Sequence, residues 1–95
     1  MSMPARGVES TACFSVHAAF DTSVMPKVLA VFSRRGMVPT TWHSSVCGNE
    51  GDEIQIDLQM AGLDPRQTEV LAESLRQIVN VECVLTSEKR RAMTA

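Results

Sequence analysis

The sequence predicts an α+β fold: a ferredoxin-like βαββαβ sandwich with two helices on one face of a four-stranded antiparallel sheet. Three observations carry the prediction. Residues 13–20 and 53–60 alternate apolar and polar side chains, the period of a half-buried strand. Two other stretches repeat apolar residues at helical spacing, each close behind a capping residue and a proline. The order strand, helix, strand, strand, helix, strand closes into one sheet when the crossovers are right-handed, which puts the first and third strands in the middle.

Each element has its own signal. In the first strand Phe14, Val16, Ala18 and Phe20 share a face, and Ser15 and His17 lie opposite. Asp21, Thr22 and Ser23 then break the strand with side chains that accept orphan N–H bonds at a helix start. Val24, Val28, Val31 and Phe32 form the first helical stripe. With Ser23 as cap, Pro26 is the third helical residue, where its missing N–H costs nothing. Arg34 and Arg35 are expected in the last turn, opposite the negative dipole end, and Gly36 in a left-handed cap. Residues 37–47 read as a second strand, which Pro39 assigns to an edge or a bulge. Gly48, Asn49 and Gly51 supply hairpin turn chemistry. The third strand sets Ile54, Ile56, Leu58 and Met60 against Glu53, Gln55, Asp57 and Gln59. Asp64 and Pro65 open the second helix as cap and first residue. Leu71, Leu75, Ile78 and Val79 line it, and Asn80 ends it. A short strand over residues 81–86 follows, with Val81, Cys83 and Leu85 on one face and Val84 on the other.

Composition narrows the function. The 95 residues make a single domain. The expected organisation is a loose segment over residues 1–11, the domain over 12–87 and a loose basic tail over 88–95. Hydrophobic residues are 44% and charged residues 21%, so the chain folds rather than staying disordered. No apolar run approaches the about 18 residues of a membrane span, and no secretory leader is expected in the first eleven. The net charge of −2 argues against nucleic acid as a partner. Three widely spaced cysteines, Cys13, Cys47 and Cys83, read as reduced thiols and place the chain in the cytoplasm.

Several chemistries of this fold lack their residues. A metal chaperone needs paired soft ligands, and the chain has no Cys-x-x-Cys. An RNA-recognition sheet needs outward aromatics, where this chain has Ser15, His17, Gln55 and Asp57. An acylphosphatase-like anion loop needs glycines and an arginine, absent from residues 21–24. His17 and His43 sit on neighbouring elements without a carboxylate or thiol partner placed by sequence, and Cys47 has no nearby base. The expected catalytic, metal and cofactor sets are therefore empty, and the chain reads as no enzyme in its own right.

The run Val28-Leu29-Ala30-Val31-Phe32-Ser33-Arg34-Arg35-Gly36 resembles the first helix and turn of an ACT domain. More narrowly, it is similar to the small regulatory subunit of acetolactate synthase (acetohydroxyacid synthase). The alternation over residues 54–60 and the run Leu75-Arg76-Gln77-Ile78-Val79-Asn80-Val81-Glu82 fit the same family. The resemblance spans residues 13–87 and fits the single-domain form of that subunit. It implies a homodimer that binds the thiamine-diphosphate-dependent catalytic subunit, raises its activity in branched-chain amino acid biosynthesis, and in many members responds to a branched-chain amino acid.

The resemblance places the effector loop at Asp21, Thr22, Ser23 and Val24, where this chain departs from the family. Phe20 stands at the position of an asparagine and Ser23 at that of a glycine, whereas Gly36 matches. Phe20 cannot supply an amide's hydrogen bonds, and without the glycine a ligand carboxylate approaches the backbone less easily. Two readings of the loop stand side by side: it binds an amino acid, or it only caps a helix. Pro39, Trp42 and Val46 are the expected interface residues, Trp42 foremost as a large rigid anchor. The alternative from another class is a stand-alone ACT-type amino-acid sensor with no synthase partner.

Overall fold

Residues 8–92 are described in a computed structural model of the chain. The expected order is present: β1 (Val8–Ala19), α1 (Val24–Ser33), β2 (Thr41–Cys47), β3 (Glu53–Ala61), α2 (Pro65–Arg76) and β4 (Val81–Ala92). The sheet order is β2-β3-β1-β4 and every pairing is antiparallel, so β1 and β3 are the central strands. This is the ferredoxin-like sandwich. Ala12, Phe14, Val16 and Ala18 of β1 and Ile54, Ile56, Leu58 and Met60 of β3 are buried together with Val24, Val28, Val31 and Phe32 of α1 and Leu71, Ala72 and Leu75 of α2. The Phe14 and Phe32 rings meet edge to face at 5.6 Å, a geometry that adds about 0.5–1.5 kcal/mol to their burial.

Several expectations need correction. The sheet reaches into both segments expected to be loose, with Val8 opposite Ala92 and Thr11 opposite Lys89. Those stretches have no apolar alternation; their order comes from ladder hydrogen bonds, which leave no mark on composition. The rest of both expected tails, residues 1–7 and 93–95, lies outside the described residues. β2 starts at Thr41, so Pro39 precedes the strand, and the Thr40 N–H opens the pairing by donating to the Gln59 carbonyl at 2.8 Å. α1 ends at Ser33, so Arg34 is its cap and Arg35 lies beyond. Arg35 still serves the helix end by donating from Nη1 to the Val31 carbonyl at 3.0 Å. α2 ends at Arg76, leaving Ile78 half-buried and Val79 exposed in the turn that follows.

The second helix ends early because its exit is built from other bonds. Gln77 N–H donates to Ser74 at 3.3 Å and Ile78 N–H to Leu75 at 3.2 Å, a tightening last turn. Asn80 then takes a φ of 78°, a left-handed conformation that asparagine tolerates better than most residues. The expected faces of β4 also change. Its register with β1 shifts between His17 and Ala18, with His17 opposite Cys83 and Ala18 opposite Val81. Glu82 is the extra residue of a bulge, and it turns Val81 to the core side together with Val84.

The signals at Gly36 and Asp64 act as the sequence indicates, whereas Ser23 makes no side-chain capping bond to α1 and Phe20 lies beyond β1, exposed. Gly36 has a φ of 72°. Its N–H reaches Ser33 and the Met37 N–H reaches Phe32, both at 3.0 Å, the paired bonds of a glycine-terminated helix. Asp64 caps α2 reciprocally: its carboxylate accepts from the Gln67 N–H at 2.7 Å, and the Gln67 side chain accepts from the Asp64 N–H at 3.1 Å.

Candidate functional site

The candidate site forms where the helical layer stops short of edge strand β2. Trp42, Ser44 and Val46 lie opposite Leu58, Ile56 and Ile54, so they point to the helix side of the sheet. Trp42 is half-buried and packs against the core. Val46 is 60% exposed although its partner Ile54 is buried, because no helix covers it.

A cavity of about 220 Å³ opens beside Val46. Phe20, Asp21 and Thr22 of the β1–α1 connection form one wall, and Met25 of α1 forms another. Ser44, Ser45 and Val46 close it from β2, with Ile54 as the floor. Phe20, Met25 and Val46 are all exposed, and Leu29 adds a fourth exposed apolar side chain one helical turn beyond Met25. Together they make a continuous apolar strip along α1 and the open edge of β2.

Asp21 organises the loop. Its Oδ1 accepts from the Ser23 N–H at 2.8 Å and the Ser23 hydroxyl at 2.7 Å, and its Oδ2 accepts from Asn80 Nδ2 at 3.0 Å. The Ser23 backbone N–H, then the Ser23 hydroxyl, hold the carboxyl below its ordinary pKa, with Lys27 and Asn80 acting the same way against desolvation. The Asp21 carbonyl accepts from the Val24 N–H at 3.1 Å. The first N–H groups of the helix thus serve the loop itself, and Pro26 has none to offer.

The sequence-predicted effector residues divide accordingly. Asp21 and Thr22 line the cavity; the Ser23 hydroxyl is turned to Asp21; Val24 is fully buried in the core, so its side chain is out of a ligand's reach. Of the expected interface residues, Val46 lines the cavity, Trp42 packs half-buried against the core and Pro39 lies before the strand. Sequence reasoning missed Met25, Ser44 and Ser45 as lining residues. An exposed methionine at helix spacing carries no cue until β2 is laid beside it.

His17 and His43 are on the open face of the sheet. His17 lies opposite Gln55 and Cys83, with Nε2 at 3.2 Å from the Ser15 hydroxyl, and His43 lies opposite Asp57. Strand β3 separates them, and the described residues contain no group of three or more side chains able to hold a metal ion. Cys13, Cys47 and Cys83 are free thiols. No helix of the described residues is long and apolar enough to cross a membrane.

The described residues thus form an antiparallel sandwich with a largely apolar cavity between the β1–α1 connection and edge strand β2. The sequence matches the ACT-like domain family over residues 6–93, and the chain belongs to that family. No curated protein matches it at a significant level. Among solved structures it is similar to the ACT domain of GTP pyrophosphokinase from Chlorobium tepidum, with a TM-score of 0.69 and 13% identity over 83% of this chain and 99% of that one. It is also similar to the C-terminal domain of the MgtC protein from Mycobacterium tuberculosis, with a TM-score of 0.67 and 16% identity over 98% of this chain and 100% of that domain. At these identities the likeness is one of fold. Domains of this family are in general regulatory rather than catalytic.

Proposed function

We propose that this chain is a regulatory module that acts by protein contact: two copies join along β2, and the pair binds and activates a catalytic partner. The observation that carries this reading is the contrast between the two sheet edges. β2, residues 41–47, holds no lysine, arginine, aspartate or glutamate, and the apolar strip of Phe20, Met25, Leu29 and Val46 runs beside it. β4 carries Glu82, Glu88 and Lys89, the kind of charges that keep an edge from pairing. Antiparallel pairing of β2 with β2 is what a two-fold axis produces, and it would cover both copies of the strip.

The resemblance to the small regulatory subunit of acetolactate synthase supplies the partner in this reading, the thiamine-diphosphate-dependent catalytic subunit. Activation follows from differential binding: the module raises the rate only as far as it binds the active conformation more tightly than the inactive one. Co-purification of the tagged chain with that catalytic subunit tests the partnership. A complex that survives washing supports it, and a chain that retains no thiamine-diphosphate enzyme overturns it.

A second reading, an amino-acid sensor, is favoured by the cavity. Its apolar walls suit a branched side chain, but the N–H groups that would seat the ligand carboxylate serve Asp21, whose own charge lies at the same place. Calorimetric titration with valine, leucine and isoleucine separates the readings: saturable heat from any of them installs the sensor.

A further inference from the structure

A second surface lies on the helical layer, away from the β2 edge. The groove between α1 and α2 encloses about 960 Å³ of open space. Its apolar floor is Val31, Val70 and Ile78. Lys27, Val31 and Arg34 share one stripe of α1, at the spacing of residues that stack on one helix face, and Arg35 stands at its end. Lys27, Arg34 and Arg35 all border the groove, and a smaller adjoining cavity continues past Arg35 to Arg66.

Of the acids near these cations, Asp21 acts electrostatically on Lys27 without forming an ion pair, and two others are engaged by their own neighbours. Glu73 borders the groove but accepts from Arg76 Nη1 at 3.2 Å, and the same nitrogen binds Glu69 at 3.2 Å. Asp64, beside the adjoining cavity, caps α2. Among the described residues none of Lys27, Arg34 and Arg35 has an ion-pair partner. A chain of net charge −2 therefore presents a strip of unpaired positive charge over an apolar floor.

From this charge pattern we infer that the α1–α2 groove docks an acidic amphipathic segment of a partner protein. The cations come from positions spread along the groove, Lys27 within α1, Arg34 and Arg35 at its end and Arg66 beside the adjoining cavity. From Lys27 to Arg34 the helix rises about 10 Å, a spacing suited to carboxylates repeated along a peptide. The floor takes the apolar face of the same segment. A second copy presenting the same groove is disfavoured, because a two-fold axis would set like charges against each other. The inference concerns a different face from the proposed β2 pairing and holds whether or not that pairing forms.

The test is a fluorescence-anisotropy titration of the full chain with a synthetic peptide of about four helical turns, bearing leucine on one face and glutamate on the other. The controls are the same peptide with lysine for glutamate, and inorganic phosphate as a competitor. The acidic peptide is expected to saturate. Its affinity should fall as ionic strength rises from about 0.01 to about 0.15 M, where the screening length shortens from roughly 30 to roughly 8 Å. The double charge reversal Lys27→Glu, Arg34→Glu, at two exposed positions, should weaken binding at least about tenfold while Val46→Lys leaves it unchanged. The inference is overturned if the acidic peptide does not bind, if the lysine peptide binds as well, if phosphate displaces the peptide, or if the charge reversal has no effect. Concentration-dependent association of the chain alone, abolished by the same reversal, would also overturn it by assigning the groove to another copy. Sedimentation of Val46→Lys reports on the β2 edge separately, so either idea can fail without the other.

Discussion

Replacing Val46 by lysine tests the proposed pairing at the position where structure and energetics make the cleanest forecast. A fully buried valine is stabilised by roughly 1.5–3 kcal/mol. Val46 is 60% exposed in the single chain, so covering it in a dimer recovers roughly 1–2 kcal/mol per copy. Two-fold symmetry counts that twice, roughly 2–4 kcal/mol. Lysine forfeits this amount, which raises the dimer Kd about 30- to 1000-fold. The isolated fold loses little, because the side chain already faces water and, among the described residues, β2 pairs as an edge strand with β3 alone. Sedimentation velocity across a concentration series reads the dimer constant, and thermal unfolding at low concentration reads the fold. The expected result is a dimeric wild type and a folded, monomeric variant. A wild type that stays monomeric at high concentration would refute the reasoning, as would a variant that dimerises equally well.

Three further outcomes follow from the local structure. Removing the reciprocal cap by Asp64→Ala should cost about 1 kcal/mol, read as a drop of about 4–8 °C in Tm for a domain of this size. Asn80→Ala should destabilise more than Asn80→Gly, by about 1–2 kcal/mol in chemical denaturation, because both lose the bond to Asp21 but only alanine is strained at a φ of 78°. Asp21 has a depressed pKa in the folded chain, so its contribution is complete above its unfolded value and is lost as pH falls through the folded one. Wild type should therefore exceed Asp21→Asn in stability at neutral pH, with the gap closing in acid; a pH-independent gap would show that the charge plays no part.

Much of the fold is legible because burial writes itself into periodicity. β1 and β3 are covered by helices on one face only, so they alternate cleanly. Asp64, Pro65 and Gly36 mark helix ends through backbone requirements few other residues meet. The outer reach of β1 and β4 is not legible, since residues 8–11 and 88–92 join the sheet by backbone pairing without an apolar alternation in their sequence. The bulge at Glu82 is equally silent, yet it reverses the face of Val81. Ile78 and Val79 extend the apolar stripe of α2 on paper, but the turn that places Asn80 beside Asp21 ends the helix first. At the candidate site, the sequence singled out residues 21–24 by resemblance alone and could not reveal that Asp21 and Ser23 satisfy each other. Neither could it show Met25 facing Val46 across the uncovered edge, a proximity created by tertiary structure alone.

The most direct test of a regulatory role through contact is to measure acetolactate formation by the isolated thiamine-diphosphate-dependent catalytic subunit while this chain is titrated in. The rate should climb and level off as the chain saturates its partner, with no turnover by the chain alone. A flat titration, or product formed by the chain without the catalytic subunit, would contradict the account.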